Sequence, residues 1–265
     1  MVLKDKVQID FIIPSYKSNI LTPCCVKSFE RNKGEYDFRY IIVENASDES
    51  YKQDVLDISE NVLWVNNLSE NTVVNNKHAW ANAEAIEIGL KHTTAKYVFI
   101  CHNDVAATSP TWMDSIFDKV NEGYEMVGTR FDNPESQRIG AIHASGMLIN
   151  TEMALNTPSV YPEWDEETKS WKLDVGDAFT RYFRQNDLKY FCFRNTHNRN
   201  VDFELSPPYN QVTFDRVVDD NNNVIYMHLG RGSLKENYGH TKKGKNISDW
   251  KNFIDREILG EIKHG

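Results

Sequence analysis

Residues 97–106 read YVFICHNDVA. Tyr97 to Cys101 is an unbroken aromatic, β-branched and apolar run, the pattern of a strand buried on both faces. It then meets His102-Asn103-Asp104 and a polar, proline-containing segment. Three polar groups at the tip of a buried strand mark either a turn or a site.

Upstream, Ile9 to Ile13 reads as a first strand that breaks at Pro14-Ser15-Tyr16. A helix is expected over Thr22 to Phe29, a second strand over Phe38 to Val43, and loop chemistry at Asn45-Ala46-Ser47-Asp48. Val62 to Val65 reads as a third strand. Ala79, Ala83, Ile86 and Leu90 fall at helical spacing, which predicts a helix from His78 to His92. Downstream, Ser109-Pro110 reads as a helix start, with serine as N-cap and proline in the first turn. The alternation predicts an α/β chain with a mostly parallel sheet flanked by helices. Beyond residue 120 the pattern is mixed: strands near Met126, over Ala144 to Ile149 and over Val224 to Met227, with helices over Asp177 to Arg184 and Ile247 to Leu259. No repeat or low-complexity linker divides the chain, so one domain is expected over 1–265.

The chain has 265 residues, 40% hydrophobic and 26% charged, with net charge −9. That balance argues against a broad nucleic-acid-binding face. Cys24, Cys25, Cys101 and Cys192 have neither disulfide-framework nor zinc-type spacing. No signal-peptide core and no membrane-length apolar run is visible. The expectation is a cytoplasmic protein, at most peripheral at the membrane inner face.

In open α/β sheets, ligands sit at the carboxyl ends of strands. Three loops leave such ends here: Pro14-Ser15-Tyr16, Glu44-Asn45-Ala46-Ser47 and His102-Asn103-Asp104. In order and spacing, IIPSYKSN (12–19), IIVENASDES (41–50) and AKYVFICHNDV (95–105) resemble the family 2 glycosyltransferases, with their nucleotide-sugar-binding GT-A fold. The resemblance covers residues 7–110 best and the second half more loosely. It implies a Rossmann-type nucleotide-sugar-binding half over 1–107 and a mixed acceptor-binding half over 108–265. Pro14, Ser15, Tyr16, Glu44, Asn45, His102 and Asn103 would line the nucleotide pocket, with Glu44 where the family usually has Asp. Asp104 matches the metal-reaching carboxylate of the DxD motif, and His102 replaces its first Asp.

The implied reaction moves a sugar from a nucleotide-diphosphate sugar, a UDP-sugar foremost, to a hydroxyl of a glycan or lipid-linked saccharide, with inversion. Negative charge grows on the diphosphate as the glycosidic bond breaks, and a divalent ion offsets it. Oxygen ligands favour Mg²⁺ or Mn²⁺. In VIYMHLGRGSLK an apolar strand ends at His228, which resembles the late histidine that completes the metal site in several enzymes of this fold. An imidazole there tilts the choice toward Mn²⁺. His143 is a rival, although a histidine within a strand is more often a packed residue.

The acceptor hydroxyl needs a base. Set on the family's acidic pattern, LDVGDAFTRYF puts Val175 at the usual base position and leaves Asp174 and Asp177 as candidates. Asp177 is favoured because it opens a helix, where it could equally be an N-cap. Tyr161, Trp164 and Trp171 could form a sugar-stacking flap or a lid on the core. Gly146, in GMLIN, would let the donor sugar approach closely. The stretch after His228 carries Arg231, Lys235, His240, Lys242, Lys243 and Lys245 and reads as a mobile basic loop, able to close over a diphosphate or to stay solvated. Two other readings remain open: a nucleotidyltransferase, which PSYKSN lacks the glycines for, and a non-catalytic nucleotide-sugar-binding relic.

Overall fold

The computed structural model describes residues 6–68, 78–130, 141–197, 204–239 and 246–261. The β-branched and aromatic runs form β1 (Gln8–Ser15), β2 (Asp37–Glu44), β3 (Val62–Asn66) and β4 (Tyr97–Ile100). They lie in the order β3-β2-β1-β4, every neighbouring pair parallel. Parallel neighbours require crossovers. These contain α1 (Leu21–Arg31), α2 (Lys52–Leu56) and α3 (His78–Leu90).

The second half supplies β5 (Val105–Ala107), α4 (Trp112–Asn121), β6 (Met126–Arg130), β7 (Ile142–Asn150), α5 (Thr151–Asn156), β8 (Glu163–Asp165), β9 (Ser170–Leu173), α6 (Asp177–Gln185), β10 (Tyr190–Asn195), β11 (Asp215–Val218), β12 (Val224–His228), α7 (Gly232–Tyr238) and α8 (Ile247–Phe253). The ten-stranded sheet continues from β4 as β7-β6-β10-β11-β12-β5, and β8 pairs with β9 apart from it. Here only β6 and β10 are parallel; the other pairs in this half are antiparallel.

Alternation along each strand sorts the core. Ile9, Phe11, Ile13, Phe38, Tyr40, Ile42 and Phe99 face α1 and α4, where Phe29 and Trp112 stack at 5.3 Å. Ile12, Ile41, Val43, Val98 and Ile100 face the opposite layer, with Ala83 and Ile86 of α3 and Phe179 and Phe183 of α6. A third cluster joins Phe214, Met227, Trp250 and Phe253 to Leu21. A sheet covered on both faces leaves its strand ends as the place where polar groups gather.

Two expectations change. The helix foreseen from Ser109-Pro110 starts at Trp112; Ser109 to Trp112 instead form a turn closed by Trp112 N–H to Ser109 O at 3.2 Å. The stretch after His228 is not loop throughout. Residues 232–238 form α7, which is anchored because the Glu236 carboxylate accepts from Ile20 N–H (2.7 Å) and Leu21 N–H (3.4 Å), and Asn237 donates to Tyr16 O (3.1 Å). His240, Lys242, Lys243 and Lys245 lie outside the described residues. The final helix continues past Phe253 as a π-helical turn over Ile254–Ile258. All four cysteines are free thiols. Among the described residues, no helix is long and apolar enough to cross a membrane.

Candidate active site

β4 and β5 are separated by only residues 101–104, yet they stand fourth and last in the sheet order. The second half of the sheet must therefore curl back until its last strand meets the tip of β4. β12 pairs with β5 and sets His228 opposite Val105. β7 pairs with β4 and brings His143 to the same tip, its ring 5.4 Å from that of His102.

His102, Asp104 and His228 meet there, with one ligand atom of each within 4.8 Å of the others. His228 Nε2 lies 3.2 Å from Asp104 Oδ1. The other carboxylate oxygen, Oδ2, accepts from Gly232 N–H at 2.9 Å. The Asp104 carbonyl accepts from Leu229 N–H at 3.0 Å. Asp104 and His228 are buried, and His102 is half-buried. Burial alone would raise the Asp104 carboxyl, but the adjacent His228, with His102 and Lys235, outweighs it and holds the group well below the usual carboxylate range. Burial pushes the His102 imidazole down to about 4, with His228 adding to it and the Asp104 and Asp174 carboxylates opposing. The Asn82 amide nitrogen lies 3.0 Å from His102 Nε2. A neutral His102 ring beside an ionised Asp104 carboxylate is a protonation state that binds a cation.

Below the cluster runs a buried polar chain. Asn103 donates to Thr22 Oγ1 (3.2 Å), whose oxygen lies 2.8 Å from Ser15 Oγ. Ser15 Oγ is 2.6 Å from the Tyr51 hydroxyl, which donates to Glu44 Oε2. Glu44 Oε1 accepts from Lys17 N–H (3.1 Å) and Ala46 N–H (3.0 Å). Asn45 accepts from Asn67 at 2.9 Å. Burial raises the Tyr51 hydroxyl and the Glu44 charge adds to it, so Tyr51 stays a donor. Glu44, Ser15, Asn45 and Asn103 are all buried, and Pro14 with them. These residues brace the three loops against one another, and Tyr16 beside them is half-buried.

The remaining candidates are spread round the cleft. Asp177 is fully buried and its Oδ2 accepts from Asp174 N–H at 2.8 Å. Asp174 is half-buried and near enough to His102 to act on its charge. Val175, at the aligned base position, is buried among core residues. The missing side chain of Gly146 is used by Tyr226: a Cβ there would sit 2.6 Å from the Tyr226 ring, whose hydroxyl donates to Gly146 O at 2.8 Å. Trp164 is 39% exposed on β8 and 4.9 Å from Trp171, which in turn lies 5.4 Å from Trp80. Arg231 is exposed, with φ 57°, immediately before α7.

Residues 10–199 match the model of glycosyl transferase family 2. The chain belongs to that family. No curated protein matches this family 2 chain. Among solved structures, a mannosyltransferase from Pyrobaculum calidifontis, in complex with GDP-Man and Mn²⁺, superposes with TM-score 0.52 at 11% identity, over 71% of this chain and 55% of its own. TarS of S. aureus gives 0.46 at 12% identity over 66% and 33%. Glucosyl-3-phosphoglycerate synthase of Mycobacterium tuberculosis gives 0.47 at 12% identity over 70% and 69%. The family 2 chain thus spans about half the length of the mannosyltransferase, and the likeness is one of fold: GT-A, with a parallel half and a mixed half.

Several residues that surround this cluster carry no motif. Thr22, Tyr51 and Glu236 are single polar positions in ordinary helical or turn sequence. Asn82 left a trace, since it interrupts an alanine-rich helix, HAWANAEAIEIGL.

Proposed function

We propose that this chain transfers a sugar, with inversion, from a nucleotide-diphosphate sugar, a UDP-sugar foremost, to a hydroxyl of a glycan or lipid-linked saccharide on the cytoplasmic side. The observation that carries the proposal is the meeting of His102, Asp104 and His228 at the carboxyl ends of the strands in a family 2 chain. The GDP-Man and Mn²⁺ bound by the mannosyltransferase of like fold support the same ligand class.

The donor set suits a divalent cation. Neighbouring ligands of an octahedral ion stand about 3 Å apart, close to the 3.2 Å between His228 Nε2 and Asp104 Oδ1. Asp104 and His228 would hold Mn²⁺ or Mg²⁺, and that ion would offset the charge growing on the departing diphosphate. The protein does the rest. The braced loops at Ser15, Glu44 and Asn103 fix the pocket floor, and Tyr16 faces the base and ribose. Asp174, rather than the enclosed Asp177, takes the acceptor proton. Trp164 offers its indole to a sugar ring, and Arg231 approaches the diphosphate. A donor screen read by released nucleotide, with Mn²⁺ and with Mg²⁺, tests the proposal. Sugar-dependent release that Asp104→Asn abolishes supports it. UDP and Mn²⁺ binding by calorimetry without turnover of any donor would leave the binding relic instead.

A further inference from the structure

Asp104 and His228 suffice for the reading above; His102 adds to it. We infer that His102 is a third protein donor, and that two imidazoles with one carboxylate oxygen make the site select Mn²⁺ and the later first-row ions over Mg²⁺. The inference rests on the metal-dependent transfer proposed above.

His102 stands two residues before Asp104, on the same strand-tip loop, and its ring centre is 5.5 Å from that of His228. One atom of each of the three residues falls within 4.8 Å of the others. In an octahedral site cis ligands stand about 3 Å apart and trans ligands about 4.2 Å, so the three side chains are near enough to draw in on one ion. Asp104 presents Oδ1 beside His228, while Gly232 N–H holds Oδ2 at 2.9 Å, an arrangement that favours binding through one oxygen. His143, though its ring is also near, has its Nδ1 accepting from Ser145 N–H at 3.1 Å. A ligating histidine commonly donates its other ring N–H to an outer partner, which fixes its tautomer. Asn82 occupies that place at 3.0 Å from Nε2. With its amide turned carbonyl-inward, Asn82 accepts the Nε2 proton and Nδ1 carries the lone pair.

Mg²⁺ prefers an all-oxygen shell and gives up water reluctantly. Imidazole suits the transition ions, with affinity rising from Mn²⁺ through Co²⁺. Two nitrogens among three protein donors therefore discriminate against Mg²⁺ more than the oxygen-only pair that an aspartate at position 102 would begin.

The test is Mn²⁺ titration of the full chain by electron paramagnetic resonance, with and without UDP and with Mg²⁺ as competitor. Pulsed measurements on the bound ion count coupled ¹⁴N nuclei independently of any turnover. The expected result is two coupled imidazoles, Mg²⁺ at least tenfold weaker than Mn²⁺, and Co²⁺ tighter than Mn²⁺. His102→Asp should remove one nitrogen and narrow the Mn²⁺/Mg²⁺ gap, with a metal-free melt reporting that it folds. One coupled imidazole in the wild type, or equal affinity for the two ions, overturns the inference and leaves the Asp104–His228 site standing. No Mn²⁺ binding with or without UDP removes both. The wild-type measurements decide even if the variant does not fold.

Discussion

Gly232→Ala is the sharpest probe of how the Asp104 carboxylate is held. A Cβ at position 232 would lie 2.5 Å from Asp104 Cβ, 2.8 Å from Asp104 Cγ and 2.7 Å from Leu21 Cδ1. Carbon atoms in contact need about 3.5 Å, so one side must yield by roughly 1 Å. The Leu21 methyl can rotate away, but the two Asp104 atoms are fixed beside the backbone. If α7 backs off, the 2.9 Å bond from Gly232 N–H to Oδ2 is lost, a charged bond worth about 1.5–3 kcal/mol. If Asp104 yields, Oδ1 leaves its 3.2 Å position beside His228. Overpacking of this kind costs about 1–3 kcal/mol. Either displacement should weaken Mn²⁺ at least tenfold, since that takes only about 1.4 kcal/mol. Calorimetric Mn²⁺ titration with a parallel metal-free melt reads both effects. Gly239→Ala is the control: it has φ +63° and nothing within 4 Å of the added carbon. It should cost about 1–2 kcal/mol of backbone strain and leave metal affinity alone. A Gly232→Ala protein that binds Mn²⁺ within twofold of wild type would refute the contact as drawn.

Three further outcomes are expected. Burial lowers His102 to about 4, against about 6.5 when unfolded; between those values the unfolded chain binds a proton that the folded chain refuses, so stability falls as pH drops from 6.5 toward 4. The loss is on the order of 2–3 kcal/mol, and urea midpoints at pH 7, 5.5 and 4.5 should fall less steeply in His102→Gln. Asp174→Asn should abolish transfer with UDP affinity intact, whereas Asp177→Asn should lower the melting temperature through its contact with Asp174 N–H; full transfer by Asp174→Asn would move the base elsewhere. Arg231→Ala, at an exposed position, should weaken UDP binding several-fold without moving the melt, and unchanged binding would leave Arg231 solvated.

The strands of the first half were legible because Ile9–Ile13, Phe38–Val43 and Tyr97–Cys101 are short, nearly continuous β-branched and aromatic runs stopped by loop-forming residues, as strands buried on both faces are. Asp104 and His228 were legible because each ends an apolar run, where polarity has no packing reason. His102 was read at the nucleotide, and one chain of letters does not report that its ring centre lies 5.5 Å from that of a histidine 126 positions later. The partners of Glu44 and Gly146 could not be read either. What fills the space beside Gly146 is Tyr226, and what holds Glu44 is Tyr51. Both are long-range partners with no local signature. The helix α7 was hidden by the glycines around its ends, Gly230, Gly232 and Gly239, and it owes its place to Glu236 reaching the backbone at the start of α1.

The curl that returns β5 to the tip of β4 also sets an order in time. Synthesis delivers His102 and Asp104 first, but β5 has no partner strand until β12 has been made. The N-terminal parallel strands can pair while the chain is still growing, since domains assemble from that end as they emerge. The His102–Asp104–His228 cluster can close only when Val224–His228 docks, and Gly232 reaches Asp104 Oδ2 later still. A chain arrested before that point would have its core strands and its strand-tip carboxylate, yet not the three-residue cluster. Competence is thus conferred more than a hundred residues after the strand-tip carboxylate itself has been made.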